Sequence, residues 1–226
     1  MSGLTIMVIA KEPLPGRAKT RLSPPCTPEQ GARLAEAALA DTLETVRATP
    51  AARRVVVLEG EPGRWLPPGF EVVAQAGGGL GERLAAAFGA VGGPALLIGM
   101  DTPQVSPALL ENAAAALLGR GIDAVLGPAR DGGYWAIGLR RAHAGVFEGV
   151  PMSSEHTCAV QRARLRALGL RHRELPRLRD VDTFADAERV AAGCPSDSRF
   201  RAALAQLNPS RPGPAPIDGR AQWATA

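Results

Sequence analysis

The chain is 226 residues long, 46% hydrophobic and 21% charged, with a formal net charge of +4. That length supports one well-cored domain and cramps two, and the composition is that of a soluble globular protein. The small positive excess suits anionic small molecules and is too weak by itself to mark a nucleic-acid protein.

The N-terminus passes directly into an apolar run, Leu4–Ala10, predicted as a strand, without the basic leader or small-residue cleavage site of a signal peptide. A loop from Lys11 to Leu22 follows. Pro28–Arg47 places Leu34, Ala38, Leu39, Leu43 and Val46 at helical spacing, with Thr27 as N-cap. Strands are predicted at Arg54–Glu59 and Phe70–Ala74, a helix at Leu80–Val91, and a strand at Ala95–Gly99. A helix at Pro107–Leu118, capped by Ser106, leads to strands at Asp123–Gly127 and Trp135–Leu139. A helix at Glu155–Leu168, a short strand near His172–Leu175 and a helix at Thr183–Ala191 complete the series. The longest weakly polar stretch, 84–100, contains Gly89, Gly92, Gly93 and Pro94, and reads as helix, turn and strand, not a membrane span. From Asn208 onward the chain is rich in proline with little to bury, so a single catalytic domain is expected over 1–207 and a disordered tail or cloning remnant over 208–226.

Continuous apolar strands alternating with helices predict an α/β fold: three α/β/α layers around a Rossmann-like, mainly parallel mixed sheet, with ligands at the carboxyl ends of the strands. Cys26, Cys158 and Cys194 are far apart and form no Cys-x-x-Cys, which fits a reduced, cytoplasmic setting.

The strand ends hold the candidate site. Lys11 and Lys19, the chain's only lysines, lie in the first loop with Arg17 and Arg21. Ammonium groups and backbone N–H groups on a proline-stiffened loop, with Gly16 allowing close approach, make an anion cradle; the alternative is a solvated basic loop. The loop has neither Walker A nor Gly-x-Gly-x-x-Gly spacing. Asp101, at the tip of the fourth strand after Gly99, reads as a magnesium-binding carboxylate or as an Asx turn. Asp131-Gly132-Gly133, beside Tyr134 and Trp135, reads equally as a hairpin turn or as part of a sugar or base pocket. Asp182 reads as a second metal ligand or as the cap of the last helix, a cap that Thr183 could equally supply. Arg83, opening a helix after Gly77-Gly78-Gly79, is placed to face a phosphate. The seven arginines from Arg162 to Arg179 read as a solvated face.

Taken in order, Lys11–Leu22, Leu80–Arg83, Gly99–Pro103, Asp131–Tyr134 and Asp180–Thr183 resemble the DUF2064 proteins of the nucleotide-diphospho-sugar transferase (GT-A-like) superfamily. That resemblance covers residues 4–192. The superfamily includes molybdenum-cofactor and phospholactate guanylyltransferases. The resemblance implies that Lys19, Thr20, Arg21 and Leu22 match the end of the pyrophosphorylase loop, where Arg21 would contact triphosphate. It also implies metal ligation by Asp101 and Asp182. Met152-Ser153-Ser154 and Lys11–Pro15 depart from the superfamily pattern.

Two activities follow as expectations. Nucleotidylyl transfer from an NTP to a phosphorylated or acidic acceptor would use Lys19 and Arg21 catalytically. Lys11, Gly16, Arg17, Thr20, Arg83, Gly132 and Gly133 would bind nucleotide, and Mg²⁺ or Mn²⁺ would sit on Asp101 and Asp182. Glycosyl transfer from a nucleotide sugar would use Asp131 as base. A non-catalytic nucleotide-binding module ranks last. The expected partners are an NTP or nucleotide sugar and an anionic small-molecule acceptor, with no nucleic acid and no membrane, and with homodimerisation left open.

Overall fold

The computed structural model describes residues 3–207. The tail expected over 208–226 lies outside the described residues. Seven strands form one sheet: β1 (Thr5–Lys11), β2 (Arg53–Glu59), β3 (Glu71–Ala74), β4 (Ala95–Gly99), β5 (Ala124–Pro128), β6 (Tyr134–Leu139) and β7 (His172–Glu174), in the order β3-β2-β1-β4-β6-β5-β7. β6 is antiparallel to both β4 and β5, and every other pairing is parallel. The mixed, mainly parallel α/β sheet is therefore as expected, and every predicted strand and helix is present within about two residues.

The β1 side chains alternate between two cores, as the period-two pleat requires. Ile6, Val8 and Ala10 join one core, which helices α1 (Pro28–Ala48) and α3 (Pro107–Leu118) cover with Leu39, Leu43, Leu110 and Leu117. Met7 faces the other, covered by α2 (Leu80–Val91) and α4 (Thr157–Ala167) through Leu84, Phe88 and Leu165. Gly127 makes room for Trp135: a Cβ there would lie 2.6 Å from the indole, whose Nε1 donates to the Pro176 carbonyl at 2.9 Å. Among the described residues no helix is long and apolar enough to cross a membrane.

Helices α5 (Phe184–Gly193) and α6 (Arg199–Leu207) pack on the outer side of α1 around Leu34, Val190, Phe200 and Leu204. No sequence signal singled out α6. Its cap comes from α1, where Asp41 accepts from Ser198 Oγ (2.7 Å), Arg199 N (3.1 Å) and Phe200 N (2.9 Å). The arginine run is largely ion-paired: Arg162 with Glu174, Arg164 with Glu148, Arg171 with Asp123 and Arg179 with Asp186.

Because β6 runs against its neighbours, its first residue, Tyr134, arrives at the same sheet edge as the last residues of β1, β2, β3 and β4. Lys11, Glu59, Gln75, Gly99 and Tyr134 thus share one rim. That rim is the carboxyl edge, where such sheets bind ligands.

Candidate functional site

A cavity of about 580 Å³ opens at this edge. Lys11, Arg17, Lys19, Thr20, Arg21, Arg83, Asp101 and Asp182 line it. These residues come from four regions separated by up to 171 positions, so the fold alone brings them together. Gly16, Asp131, Gly132 and Gly133 are not among its lining residues.

The first loop leaves β1 at Lys11 and closes in a single 3₁₀ turn, Thr20–Leu22, whose Leu22 is buried against the α1 and α5 layer. Lys19 precedes that turn with φ +54°, a left-handed conformation uncommon for a residue with a Cβ. This backbone turns its side chain inward. Lys19 Nζ lies 2.7 Å from Asp101 Oδ1 and also donates to the Val181 carbonyl. The lysine side chain is only 11% exposed, while that of Asp101 is 41% exposed. Asp101 Oδ1 is itself buried and has no aligned hydrogen bond, so its contact with Lys19 is one of charge. Nothing of an Asx turn forms at Asp101. Gly99 lines the cavity, and a Cβ there would meet no atom closer than 3.9 Å, so the position adds open space beside the carboxylate.

The segment after β7 reaches Asp101 by a backbone bond, Val181 N to Asp101 O at 2.9 Å. The capping role that Asp182 could have filled belongs to Thr183, which forms a reciprocal capping box with Asp186. Asp182 is left to the cavity, where Arg21 Nη1 meets it at 2.7 Å. The hydrogen bond and charge of Asp182 hold the Arg21 guanidinium above its ordinary range. Asp180, next to this pair, is pushed up to about 6, first by burial and then by Asp131, with Asp101 adding to the rise and Lys19 opposing it.

A second cationic group sits on the β2 and β3 side. Glu59 takes Lys11 Nζ at 3.3 Å and Arg83 Nη1 at 2.5 Å. Burial pushes the Glu59 carboxyl up, but hydrogen bonds from Arg83 and Lys11 outweigh it and hold the group below its usual range. Gln75 is fixed through Nε2 to the carbonyls of Ala10 (2.7 Å) and Val57 (3.2 Å), and its Oε1 accepts from Arg83 at 3.2 Å. Arg83 Nε donates to Gly78 O, which ties the glycine loop to the N-terminus of α2. Sequence reasoning missed Glu59 and Gln75, and no local signal marks either one; their role depends on β2 and β3 lying beside β1.

Across the cavity, Tyr134 is half-buried, and desolvation of its phenol raises the pKa and keeps it neutral. Ser153 lines the wall near it with φ +58°. The Asp131–Gly133 segment forms the turn: Asp131 Oδ1 accepts Gly133 N at 2.8 Å, and Ala129 N bonds Gly133 O at 2.9 Å. Gly132 turns toward the backbone of Glu155, and Cys158 N donates to its carbonyl at 2.8 Å. The three buried cysteines are unpaired.

Among the described residues no group of three or more His, Cys, Asp and Glu could hold a metal ion. The donor set nevertheless fits a hard divalent cation that takes most of its ligands from phosphate and water. Asp101 offers a carboxylate whose Oδ1 is buried without an aligned hydrogen bond, and Asp182 is not consumed by capping.

Residues 31–154 match the DUF2064 family, described as an uncharacterized protein conserved in bacteria. No match is found among curated proteins. Among solved structures, a Desulfovibrio desulfuricans protein described as a candidate nucleotide-diphospho-sugar transferase is 28% identical, with a TM-score of 0.79 over 92% of this chain and 95% of that one. A cytidylyltransferase from Leptospira borgpetersenii serovar Hardjo-bovis is 16% identical, with a TM-score of 0.55 over 91% and 93%. The CMP:2-keto-3-deoxy-manno-octonic acid synthetase complexed with CTP is 14% identical, with a TM-score of 0.56 over 91% and 100%. The last two share the fold alone. The architecture is that of nucleotide-diphospho-sugar transferases and cytidylyltransferases.

Proposed function

The chain belongs to the DUF2064 family, and from that footing we propose that it is a metal-dependent nucleotidylyltransferase. It takes an NTP and a phosphorylated or acidic small molecule and releases pyrophosphate. The observation that carries this reading is the charge layout of the cavity. Lys11, Arg17, Lys19, Arg21 and Arg83 surround a strand end that carries Asp101 alone, with Gly99 and Pro103 at the positions where an Asp-x-Asp would place its second carboxylate.

Phosphoryl chemistry on this layout needs positioning and charge neutralisation, not a covalent nucleophile. An acceptor oxygen attacks the α-phosphorus, the bond to the bridging oxygen of the β-phosphate breaks, and pyrophosphate leaves. The loop cations hold the β- and γ-phosphates and offset charge gathering on the leaving group, the kind of help worth about 2.7–4 kcal/mol per donor in other enzymes. Glu59 and Gln75 hold Lys11 and Arg83 in place along the rim. Asp101 and Asp182 would hold Mg²⁺ or Mn²⁺, which supplies Lewis-acid neutralisation of the phosphate oxygens.

Glycosyl transfer from a nucleotide sugar is the second reading, favoured by the description of the Desulfovibrio relative. It asks Asp131 to act as base, yet one oxygen of that carboxylate is committed to the turn. The two readings separate in one assay. The protein is incubated with each NTP or nucleotide sugar, Mg²⁺ and a set of phosphorylated and acidic acceptors. Pyrophosphate release from an NTP is expected. Transfer of sugar without pyrophosphate would sink nucleotidylyl transfer.

A further inference from the structure

We propose that Lys19 makes the site select a metal–nucleotide complex over a free divalent cation. The inference rests on the nucleotide-binding reading and concerns the order in which its components enter.

Each carboxylate assigned to the metal already has a cation against it. Lys19 stands 2.7 Å from Asp101, and Arg21 stands 2.7 Å from Asp182. The two pairs differ in kind. Arg21 is 74% exposed, so water and salt screen it and it can swing away at little cost. Lys19 is 11% exposed and touches both halves of the site, Asp101 Oδ1 and the Val181 carbonyl one residue before Asp182. Its ammonium therefore lies between the two segments whose carboxylates a metal would bridge. The left-handed backbone at Lys19, immediately before a turn pinned by buried Leu22, holds it there.

A free dication entering this site meets two carboxylates that each already face a cation, a further ring of basic side chains, and a largely buried ammonium beside its first ligand. Like charges at such separations in a partly desolvated site repel by several times RT. A dication that arrives with a triphosphate brings more negative charge than positive. The phosphates give Lys19 a better partner than Asp101, and they supply the ligands that the two carboxylates lack. The same lysine thus disfavours metal alone and favours metal with nucleotide. This differs from a plain phosphate contact, which would leave nucleotide-free metal affinity unchanged when removed.

Binding of nucleotide-free Mn²⁺ is read from the free-ion electron paramagnetic resonance signal on metal-stripped protein, and binding of each Mn²⁺–NTP complex from equilibrium dialysis of the nucleotide, because an NTP takes up Mn²⁺ by itself. Wild type is expected to bind Mn²⁺ weakly until a triphosphate is added. Lys19→Gln is expected to bind nucleotide-free Mn²⁺ at least about tenfold tighter, and Asp101→Asn placed on top of it should remove the gain. Lys19→Arg, which keeps the charge, should behave as wild type without nucleotide. Tight nucleotide-free binding by wild type overturns the proposal, and that outcome needs no variant to fold. A Lys19→Gln protein with wild-type circular dichroism and no gain overturns it too, as does a gain that survives Asp101→Asn. The nucleotide-free arms measure no turnover, so failure to release pyrophosphate in the functional assay leaves them standing as a separate result.

Discussion

Gly132→Ala separates a glycine that supports the fold from one that binds nucleotide. Gly132 has φ +93°, where an L side chain is strained, at a cost of about 1–3 kcal/mol. The added methyl would also lie 2.0 Å from the Glu155 carbonyl oxygen and 2.5 Å from its carbon. Those are backbone atoms in the segment leading into α4, so they cannot rotate away, and the overpacking adds about 1–3 kcal/mol. Moving the segment aside stretches the Cys158 N to Gly132 O bond, which adds about 0.5–1.5 kcal/mol. The expected loss is therefore about 2.5–7.5 kcal/mol, a fall in Tm of at least about 5 °C for a domain of this size. Thermal unfolding followed by far-ultraviolet circular dichroism measures it. A variant that melts within a degree or two of wild type but no longer binds nucleotide would refute the packing argument and return Gly132 to the binding site.

Asp41→Ala removes the acceptor of three α6 bonds and should cost about 1–2 kcal/mol, with amide exchange faster over residues 199–207 than over the sheet. Unchanged protection there would show that α6 is held by Phe200 and Leu204 alone. Asp180→Asn should stabilise the metal-free protein at pH 8. The folded Asp180 titrates near 6 against an ordinary value of 3.8, so the unfolded chain loses its proton first. Stability then falls as pH rises from about 4 to 6 and stays lowered above that range. The group is partly exposed, so the gain is discounted to about 1 kcal/mol and should vanish as pH falls toward 4. A gain equal at pH 4 and pH 8, or a loss at pH 8, would contradict the sign.

The central strands were legible because they are continuous apolar runs that a doubly covered sheet buries on both faces, as in Val55–Leu58 and Leu96–Ile98, whereas the edge strands β3 and β7 are short and largely exposed. Helix α6 was not legible, since it buries only Phe200 and Leu204 and borrows its cap from a residue 157 positions earlier. Within the site, the loop cations and Asp101 could be read from strand-end logic. Glu59 and Gln75 could not, because an acid and an amide at strand ends are ordinary until strand order sets them beside Lys11 and Arg83. At Asp182 only the capping alternative was removed by its neighbour: Thr183 took the cap. The Asp131 segment stayed even in sequence because the same residues satisfy a turn and a pocket, and the turn bonds are the ones that form.

The bond from Lys19 to Val181 spans 162 residues of chain. During synthesis β1, β2, β3 and β4 can pair early, and Lys11 and Arg83 can settle on Glu59 while the second half is still being made. The partner that steadies Lys19 leaves the ribosome only with the segment after β7. At about 5–20 residues per second, that delay is roughly ten to thirty seconds. A nascent or truncated chain would therefore carry a nearly complete half-sheet in which Lys19 can face Asp101 but lacks the Val181 carbonyl that braces it. The cavity wall formed by Val181 and Asp182 would be added late.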